Sequence, residues 1–464
     1  MKPYHELIAA KRIKAQPAGL ANVPDLAPCL KPHQAHVVDF ALRQGRAAMF
    51  LDTGLGKTLS ALEWGRVVVE HSNRPVLMLA PLAVAGQHER EAQRFGIDAV
   101  SVREPEQVAG ARIYITNYDR LAKFNPDDFA GVVLDESSIL KSFNGKTTRA
   151  LIDAFRHTPF RLACTATPAP NDHAELGQHS EFLGVMSQSQ MLTRWFLHDS
   201  ADTGNWRMKG HAVEDFWSWV ASWARCVSKP SDLGFSDKGY DLPPLDLKRH
   251  VVKADRSVDA GAEKDGQSRL FRIPDTSATA IHREKRMTTD ARADLIAQVV
   301  TAEPDEPWVI WCETDYEADA LMARMPFAIE VSGSMSAEEK EAKLTAFSTG
   351  AERVIISKPS IAGFGLNWQH CARMAFVGLS FSYESFYQAI RRCWRFGQTR
   401  QVHVHVACAD TEEAIWQVVS RKAGDHDSMK REMTAAMARA SRIVAEQAPY
   451  QPTVPVRLPS WIAA

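Results

Sequence analysis

The residues with the plainest chemistry lie in "DTGLGKT", Asp52 to Thr58. Gly54 and Gly56 let the backbone turn its N–H groups toward an anion, with Thr53 and Leu55 completing the turn. Lys57 can reach the β- and γ-phosphates of a nucleotide, and the Thr58 hydroxyl can ligate Mg²⁺. A helix beginning here adds its positive N-terminal end. The strict phosphate-loop pattern has a glycine where this chain has Leu51. Further on, "GVVLDESS" closes an apolar run with adjacent carboxylates, Asp135 and Glu136. Asp135, at the carboxyl end of a strand, suits a nucleotide-bound Mg²⁺. Glu136 suits the base that orients an attacking water. A third set lies near the C-terminus. Gln388, Arg392 and Arg395 are spaced i, i+4, i+7, so one helix face presents all three. Two arginines aimed together suit a γ-phosphate whose charge develops during transfer.

These groups need a scaffold, and the apolar pattern supplies one. In the first half "AAMFLD", "VLMLA", "RIYITN", "GVVLDE" and "RLACTAT" are continuous apolar runs. In the second half "PWVIWCE", "FAIEVSG", "RVIISKP", "RMAFVGL" and "VHVHVAC" repeat the theme. Such runs suit strands buried on both faces of a parallel sheet, and helical patterns lie between them. The expectation is α/β throughout, with two doubly wound domains. The expected boundaries are an N-terminal extension over 1–28, a first domain over 29–185, a helical or linker insertion over 186–290, a second domain over 291–424 and a C-terminal tail over 425–464, a polar helix followed by a loosely packed, Pro-bearing end. Gly and Pro density in "SKPSDLGFSDKGYDLPPLD" marks the linker.

Composition narrows the class. A chain of 464 residues is too long for one core. No apolar run approaches the ~20 residues that span a bilayer, and the N-terminal "MKPYHELIAAKRIKAQ" has no apolar segment of a secretory signal. Seven cysteines without a C-x-x-C pair argue for a reducing, cytoplasmic setting and against structural zinc. A net charge of −1 means that any nucleic acid must be held by local patches. "FWSWVASWA" places Phe216, Trp219, Val220 and Trp223 on one helical stripe, which reads as core packing rather than base stacking. His403 and His405 in "VHVHV" read as a sheet-face pair, with no third ligand that would make a metal site. "KRIKAQ" reads either as a phosphate contact or as a solvated basic stretch.

The motifs together resemble the superfamily-two helicase ATPases, most nearly the Swi/Snf-type DNA translocases, over most of Leu30 to Lys422. "LKPHQAHVVDF" is similar to the family's glutamine motif, which implies that Gln34 reads adenine. "MLAPLAVAGQHERE" and "TNYDRL" resemble its DNA-side segments. "CTATPAPNDHAELGQHSEFL" resembles its coupling motif, with Thr165 and Thr167 as the hydroxyls. "GFGLNW" and "QAIRRCWRFGQTRQVHVH" resemble its last two motifs, and the final one keeps the whole Gln-x-x-x-Arg-x-x-Arg-x-Gly-Gln frame. The resemblance implies two RecA-like domains, ATP and Mg²⁺ in the cleft between them, and DNA across both. It implies an ATP site of Gln34, Thr53, Gly54, Leu55, Gly56, Lys57, Thr58, Asp135, Gly365, Arg392 and Arg395. Glu136, Lys57, Arg392 and Arg395 are the expected catalytic residues, Thr58 and Asp135 the metal ligands, and Thr165, Thr167 and Gln388 the coupling residues. Pro81, Asn117 and Ser360 are expected at the DNA.

Several residues depart from the family pattern. Ser137 and Ser138 replace its usual Ala-His, and a hydroxyl there can bond Thr165 or Thr167. Arg391 stands where an acidic residue is frequent, Trp394 where His is, and His88 where Trp is. Pro359 interrupts the run before the glycines. The expected activity is ATP-driven movement on duplex DNA. The alternatives are a strand-separating DNA or RNA helicase, a non-catalytic binding module, and a motor serving a separate nuclease. Absence of appended reader domains fits a compact bacterial or phage enzyme better than a chromatin protein.

Overall fold

The structure is a computed structural model of the chain. It describes residues 13–81, 85–141, 145–169, 172–198, 206–254, 285–362 and 366–446. Two parallel sheets organise it. The first lobe uses β1 (Arg46–Leu51), β2 (Val76–Ala80), β3 (Ala99–Ser101), β4 (Ile113–Asn117), β5 (Gly131–Asp135) and β6 (Phe160–Cys164). A small antiparallel pair, β7 (Phe196–His198) and β8 (Trp206–Met208), stands apart. β9 (Ala224–Val227) then returns to the first sheet, whose order is β3-β4-β2-β5-β6-β1-β9. The second lobe uses β10 (Leu245–Val252), β11 (Trp308–Trp311), β12 (Ile329–Val331), β13 (Val354–Ser357), β14 (Arg373–Phe376) and β15 (Val402–Ala409), in the order β10-β15-β14-β11-β13-β12. Every pairing within these two sheets is parallel. The apolar runs are strands for the expected reason: β2, β4, β6, β11 and β13 are buried along their whole length by helices on both faces.

The segment read as an insertion between the domains belongs to both. β9 pairs with β1 over Ala48↔Ala224 to Leu51↔Val227, and β10 pairs with β15 over eight residues. The Trp-rich helix α4 (Val213–Ala221) is packed as expected, with Phe216, Trp217, Trp219 and Val220 at most 1% exposed.

The stretch after Gly424 is helical, as the sequence reading has it, and continues one 34-residue helix, α6 (Glu413–Glu446). Its start joins the second lobe's core through Ile415 and Val419. Farther along, Met429, Met433 and Ala436 are buried in the first lobe's core beside the Trp-rich helix. The spacing from Met429 to Met433 to Ala436 is four and three, one stripe of a helix. Polar composition hid a seam only one residue wide per turn. The Pro-bearing end "APYQPTVPVRLPSW" lies outside the described residues.

Candidate active site

In a parallel sheet the strand ends that carry carboxyl termini share one edge, and loops leaving that edge converge. β1 ends at Leu51 and leads into the glycine turn. β5 ends at Asp135, β6 leads into Thr165, and β2 leads into Pro81. Gly54 and Gly56 take φ of +92° and +81°, and Gly56 caps helix α2 (Lys57–Ser72) in the left-handed conformation. Only a residue without Cβ enters that region at little cost. A Cβ on Gly56 would also lie 1.9 Å from Gln34 Nε2.

These loops and the second lobe line a cavity of about 830 Å³. That volume falls within the roughly 300–1,000 Å³ of small-molecule sites. From the first lobe come Gln34, Thr53, Gly54, Gly56, Lys57, Thr58, Pro81, Asp135 and Glu136; from the second come Gln388, Arg392 and Arg395. The three sets of residues singled out by spacing thus meet in one place. Thr165, Thr167, Asn117 and Ser360 do not line the cavity. Leu55 turns its side chain into the core. Gly365 lies outside the described residues.

Lys57 Nζ donates to Leu51 O at 2.7 Å. Burial pushes its ammonium pKa down, against the pull of Glu136, Asp135 and Asp52. Asp135 and Glu136 are driven apart. Burial would raise Asp135, but His88 and Lys57 outweigh it and the carboxyl ends below its ordinary value. Burial raises Glu136, Lys57 only partly offsets this, and the charge of Asp135 adds to it, so the net shift is upward. Two neighbouring carboxylates with opposed shifts are suited to different tasks: one stays ionised, the other can take up a proton. Glu136 also sits at φ +57°, one of two non-glycine residues with positive φ among those described. Strain of this kind collects where a side chain must be aimed.

Glu136 Oε1 is a meeting point. It accepts from Thr165 Oγ1 at 2.8 Å, from Ser138 Oγ at 3.3 Å and, across the cleft, from Gln388 Nε2 at 3.4 Å. Gln388 is held in turn by Arg392, whose Nη2 donates to Gln388 Oε1 at 3.0 Å. Arg392 and Arg395 each donate to Leu366 O, at 3.1 and 3.0 Å. Burial lowers both guanidiniums, to about 9 and about 10; the charge of Arg395 adds to the shift of Arg392, and that of Arg391 to the shift of Arg395. Both remain charged at neutral pH. Arg395 Nε is buried with no hydrogen-bond partner among the described residues. An unmet cationic donor in a cavity that also holds Lys57 fits a bound polyanion such as a nucleotide triphosphate.

The structure refines several residues. Gln34 spends its amide on the loop rather than on open space: Nε2 donates to Leu55 O at 3.1 Å, and Oε1 accepts from Lys31 N at 2.9 Å. Ser138 bonds Glu136 and Ser137 bonds His179 Nε2 at 3.1 Å, so neither serine reaches Thr165 or Thr167. Thr167 N instead donates to Thr165 Oγ1 at 3.1 Å. Pro81, expected at the DNA, lines the cavity. Asn117 is buried at the end of β4 and Ser360 is exposed on the short helix Pro359–Ala362. His403 bonds Asp246 and His405 bonds His250, both across β10, and no group of three potential metal ligands occurs among the described residues. His88, marked in the sequence only as a departure, is a site residue: its Nε2 lies 2.7 Å from Asp135 Oδ2. Burial lowers His88, Asp135 more than restores it, and the net shift is upward. A separation of 47 residues left no local signal of this pair.

Comparison with known proteins agrees with the motifs. Residues 291–397 match the helicase conserved C-terminal domain family. The mouse protein "DNA annealing helicase and endonuclease ZRANB3" is 23% identical over 448 residues, covering 85% of this chain and 40% of that protein. A bovine "SWI/SNF-related matrix-associated actin-dependent regulator of chromatin subfamily A-like protein 1" is 22% identical, covering 90% and 47%. "Uncharacterized ATP-dependent helicase YqhH" of Bacillus subtilis is 22% identical, covering 81% and 74%. The chain spans less than half the length of the two animal relatives. Among solved structures, the "Sulfolobus solfataricus SWI2/SNF2 ATPase core in complex with dsDNA" aligns with a TM-score of 0.41 and 16% identity, over 92% of this chain and 98% of that one.

Proposed function

We propose that this chain, which belongs to the superfamily-two helicases of Swi/Snf type, is a DNA-dependent ATPase that turns hydrolysis into movement along duplex DNA without separating the strands. The observation that carries the reading is the convergence of Lys57, Thr58, Asp135 and Glu136 from one lobe with Gln388, Arg392 and Arg395 from the other on a single cavity.

Each residue has a role in this reading. The N–H groups around Gly54 and Gly56, with Lys57, bind the β- and γ-phosphates of ATP. Gln34 braces the loop through Leu55 O and faces the nucleotide from behind it. Mg²⁺, held by Thr58 and Asp135, would neutralise charge on the phosphates. Glu136 takes the proton of the attacking water, and its raised pKa suits a base that must hold that proton. Arg392 and Arg395 meet charge developing on the transferred phosphoryl group. The Arg392–Gln388–Glu136–Thr165 chain of hydrogen bonds couples chemistry to closure. Asn117 and Ser360 are the contacts we assign to the DNA backbone, and Pro81 lies where the backbone side meets the nucleotide cavity. Seven cysteines without a C-x-x-C pair fit a reducing compartment, and on that ground we assign a cytoplasmic setting. DNA is the ligand class named by the "DNA annealing helicase" among the relatives.

The test is ATP turnover with no nucleic acid, duplex DNA, single-stranded DNA and RNA, joined to triplex displacement and fork unwinding. Stimulation by duplex, with displacement of a third strand and an intact fork, is expected. Stimulation by single strands alone, with robust fork unwinding, overturns the translocase reading in favour of a strand-separating helicase. Turnover that survives Lys57→Ala overturns the site.

A further inference from the structure

Behind the phosphate loop lies a second meeting of the lobes that the reading above does not use. Asp52 directly precedes Thr53. Its Oδ1 accepts from Thr53 N at 2.7 Å, Tyr387 OH at 2.7 Å and Arg391 Nη2 at 2.9 Å, and its Oδ2 from Lys430 Nζ at 3.1 Å. Lys430 Nζ also donates to Tyr387 OH at 3.0 Å, and Arg391 Nη2 to Thr53 O at 3.1 Å. The three side chains that bond Asp52 stand 335, 339 and 378 residues away. The side chains of Asp52, Arg391 and Lys430 are 13%, 5% and 12% exposed, so water screens them little.

Three features set this knot apart from an ordinary buried ion pair. One carboxylate faces two cations, and the nearby His426 is held neutral by burial and by Lys430, so one positive charge is left over beside a loop built for phosphates. Buried charge of this kind needs a compensating partner, and a polyanion on the loop supplies one. Next, Arg391 adjoins Arg392 in the chain, and Arg391 reaches both Asp52 and the Thr53 carbonyl. The knot therefore fixes the arginine-bearing turn against the phosphate loop. Last, Lys430 is fixed by a different element. Met429 and Met433 seat helix α6 in the first lobe's core, and Trp217 Nε1 donates to Glu432 Oε2 at 3.2 Å. The family pattern often has an acidic residue at the position of Arg391, which would repel Asp52.

We propose that Asp52, Arg391, Tyr387 and Lys430 are positioning residues for ATP hydrolysis, setting the phosphate loop and the Arg392 turn against each other, with the C-terminal helix as the third element that completes the alignment. The proposal rests on the ATPase reading of the adjoining cavity. It predicts that loss of Lys430 lowers kcat more than it raises KM for ATP, because the loop still binds but its alignment with the opposite lobe is lost.

The experiment uses the full chain with duplex DNA and compares Lys430→Met, Lys430→Arg, Tyr387→Phe and Lys57→Ala. Steady-state kcat and KM, nucleotide affinity and thermal unfolding are measured for each. Lys430→Met should lower kcat by about tenfold or more, a misplacement of well under 1 Å being enough for that, with nucleotide affinity within a few-fold of the parent. Lys430→Arg keeps the charge and should recover most of kcat. Tyr387→Phe removes one hydroxyl, does not threaten folding, and should lower kcat by less. A merely structural role predicts a lower unfolding temperature with unchanged kcat, and that result overturns the proposal. So does an arginine variant as poor as the methionine one. Lys57→Ala separates the two levels. If it abolishes turnover while Lys430→Met and Tyr387→Phe spare it, the knot fails and the site stands. If it spares turnover, both fall.

Discussion

Replacing Gly54 by alanine tests whether the lobes are joined at the phosphate loop as the structure has them. Gly54 lies at φ +92°, and an added Cβ would stand 2.6 Å from Phe396 Cβ and 2.9 Å from Phe396 N. Carbon atoms in contact sit ~3.5–4.0 Å apart, so Phe396 must retreat by about 1 Å. The left-handed backbone costs a further ~1–2 kcal/mol for any residue with a side chain. Phe396 follows Arg395, so its retreat withdraws the arginine from the cavity. A 1 Å error in a reacting constellation costs about 10²-fold in rate, or roughly 2.7 kcal/mol of barrier. The expected result for Gly54→Ala is therefore a turnover about a hundredfold down, with a larger distance between labels on the two lobes. Gly350→Ala is the control: φ is +79° there and nothing lies within 4 Å of the added Cβ, so stability falls while turnover holds. Nucleotide affinity must be measured beside turnover. If affinity falls as far as turnover does, the alanine harms the loop itself and not its seat against Phe396. If Gly54→Ala turns over within twofold of the parent, the contact with Phe396 is not part of the working state and the reasoning is refuted.

Glu136→Gln should still bind nucleotide but hydrolyse it about 10²–10⁴-fold more slowly, the usual span for loss of a general base; affinity collapsing in step with rate would make Glu136 a ligand instead. Arg392→Ala and Arg395→Ala should each lower turnover by roughly 10³-fold or more, as other arginine fingers do, with nucleotide-free DNA binding nearly unchanged; weakened DNA binding with normal turnover would show that they face the wrong ligand. Burial depresses His179 and His405 to about 4 and His426 to about 3, so their stabilising contribution is whole above the unfolded value of 6.5 and is lost as pH falls toward 4. The unfolding free energy from denaturant titration should drop between pH 7 and 5 by up to roughly 1.4 kcal/mol per pH unit for each histidine, and a value that holds or rises would contradict this.

The parts of the site that the sequence displays are those whose geometry is local. A glycine turn between a buried strand and a helix is legible because seven consecutive residues make it. Asp135-Glu136 is legible because a strand end and its loop are adjacent in the chain. Gln388, Arg392 and Arg395 are legible as a group by their spacing, but not as one helix face: the helix ends at Ile390, and both arginines lie in the turns that follow it. What escapes notice is set by distance along the chain. β9 is four residues long and lies in a region dense with tryptophan and turn residues, so only its pairing with β1 identifies it as a strand. The side chains that bond Asp52 stand more than 300 residues away, and nothing near Lys430 announces a carboxylate. From the sequence alone the hydroxyls of Ser137 and Ser138 can reach Thr165 or Thr167, which follow β6. Burial of His179 beside Ser137, and the left-handed turn at Glu136, send the hydroxyls elsewhere.

The arrangement around Glu136 bears on how a motor avoids idle hydrolysis. One of the three donors on Glu136 Oε1 comes from Gln388 in the opposite lobe, and Arg392 holds that glutamine in place. On the proposed ATPase reading, a parting of the lobes would take this donor from Glu136 at the same moment as it takes both arginines from the γ-phosphate site. Base and charge stabilisation therefore fail together, and each lost hydrogen bond to a charged group is worth roughly 1.5–3 kcal/mol. Helix α6 limits how far that parting can go, since Ile415 and Val419 are buried in one lobe's core and Met429 and Met433 in the other's. Only ten residues, about 15 Å of helix, separate Val419 from Met429. A strut of that length permits rocking about the cleft but not wide separation without unseating one end. On the proposed translocase reading, small, repeated closure around this strut would be the motion of a motor that steps along exposed backbone phosphates.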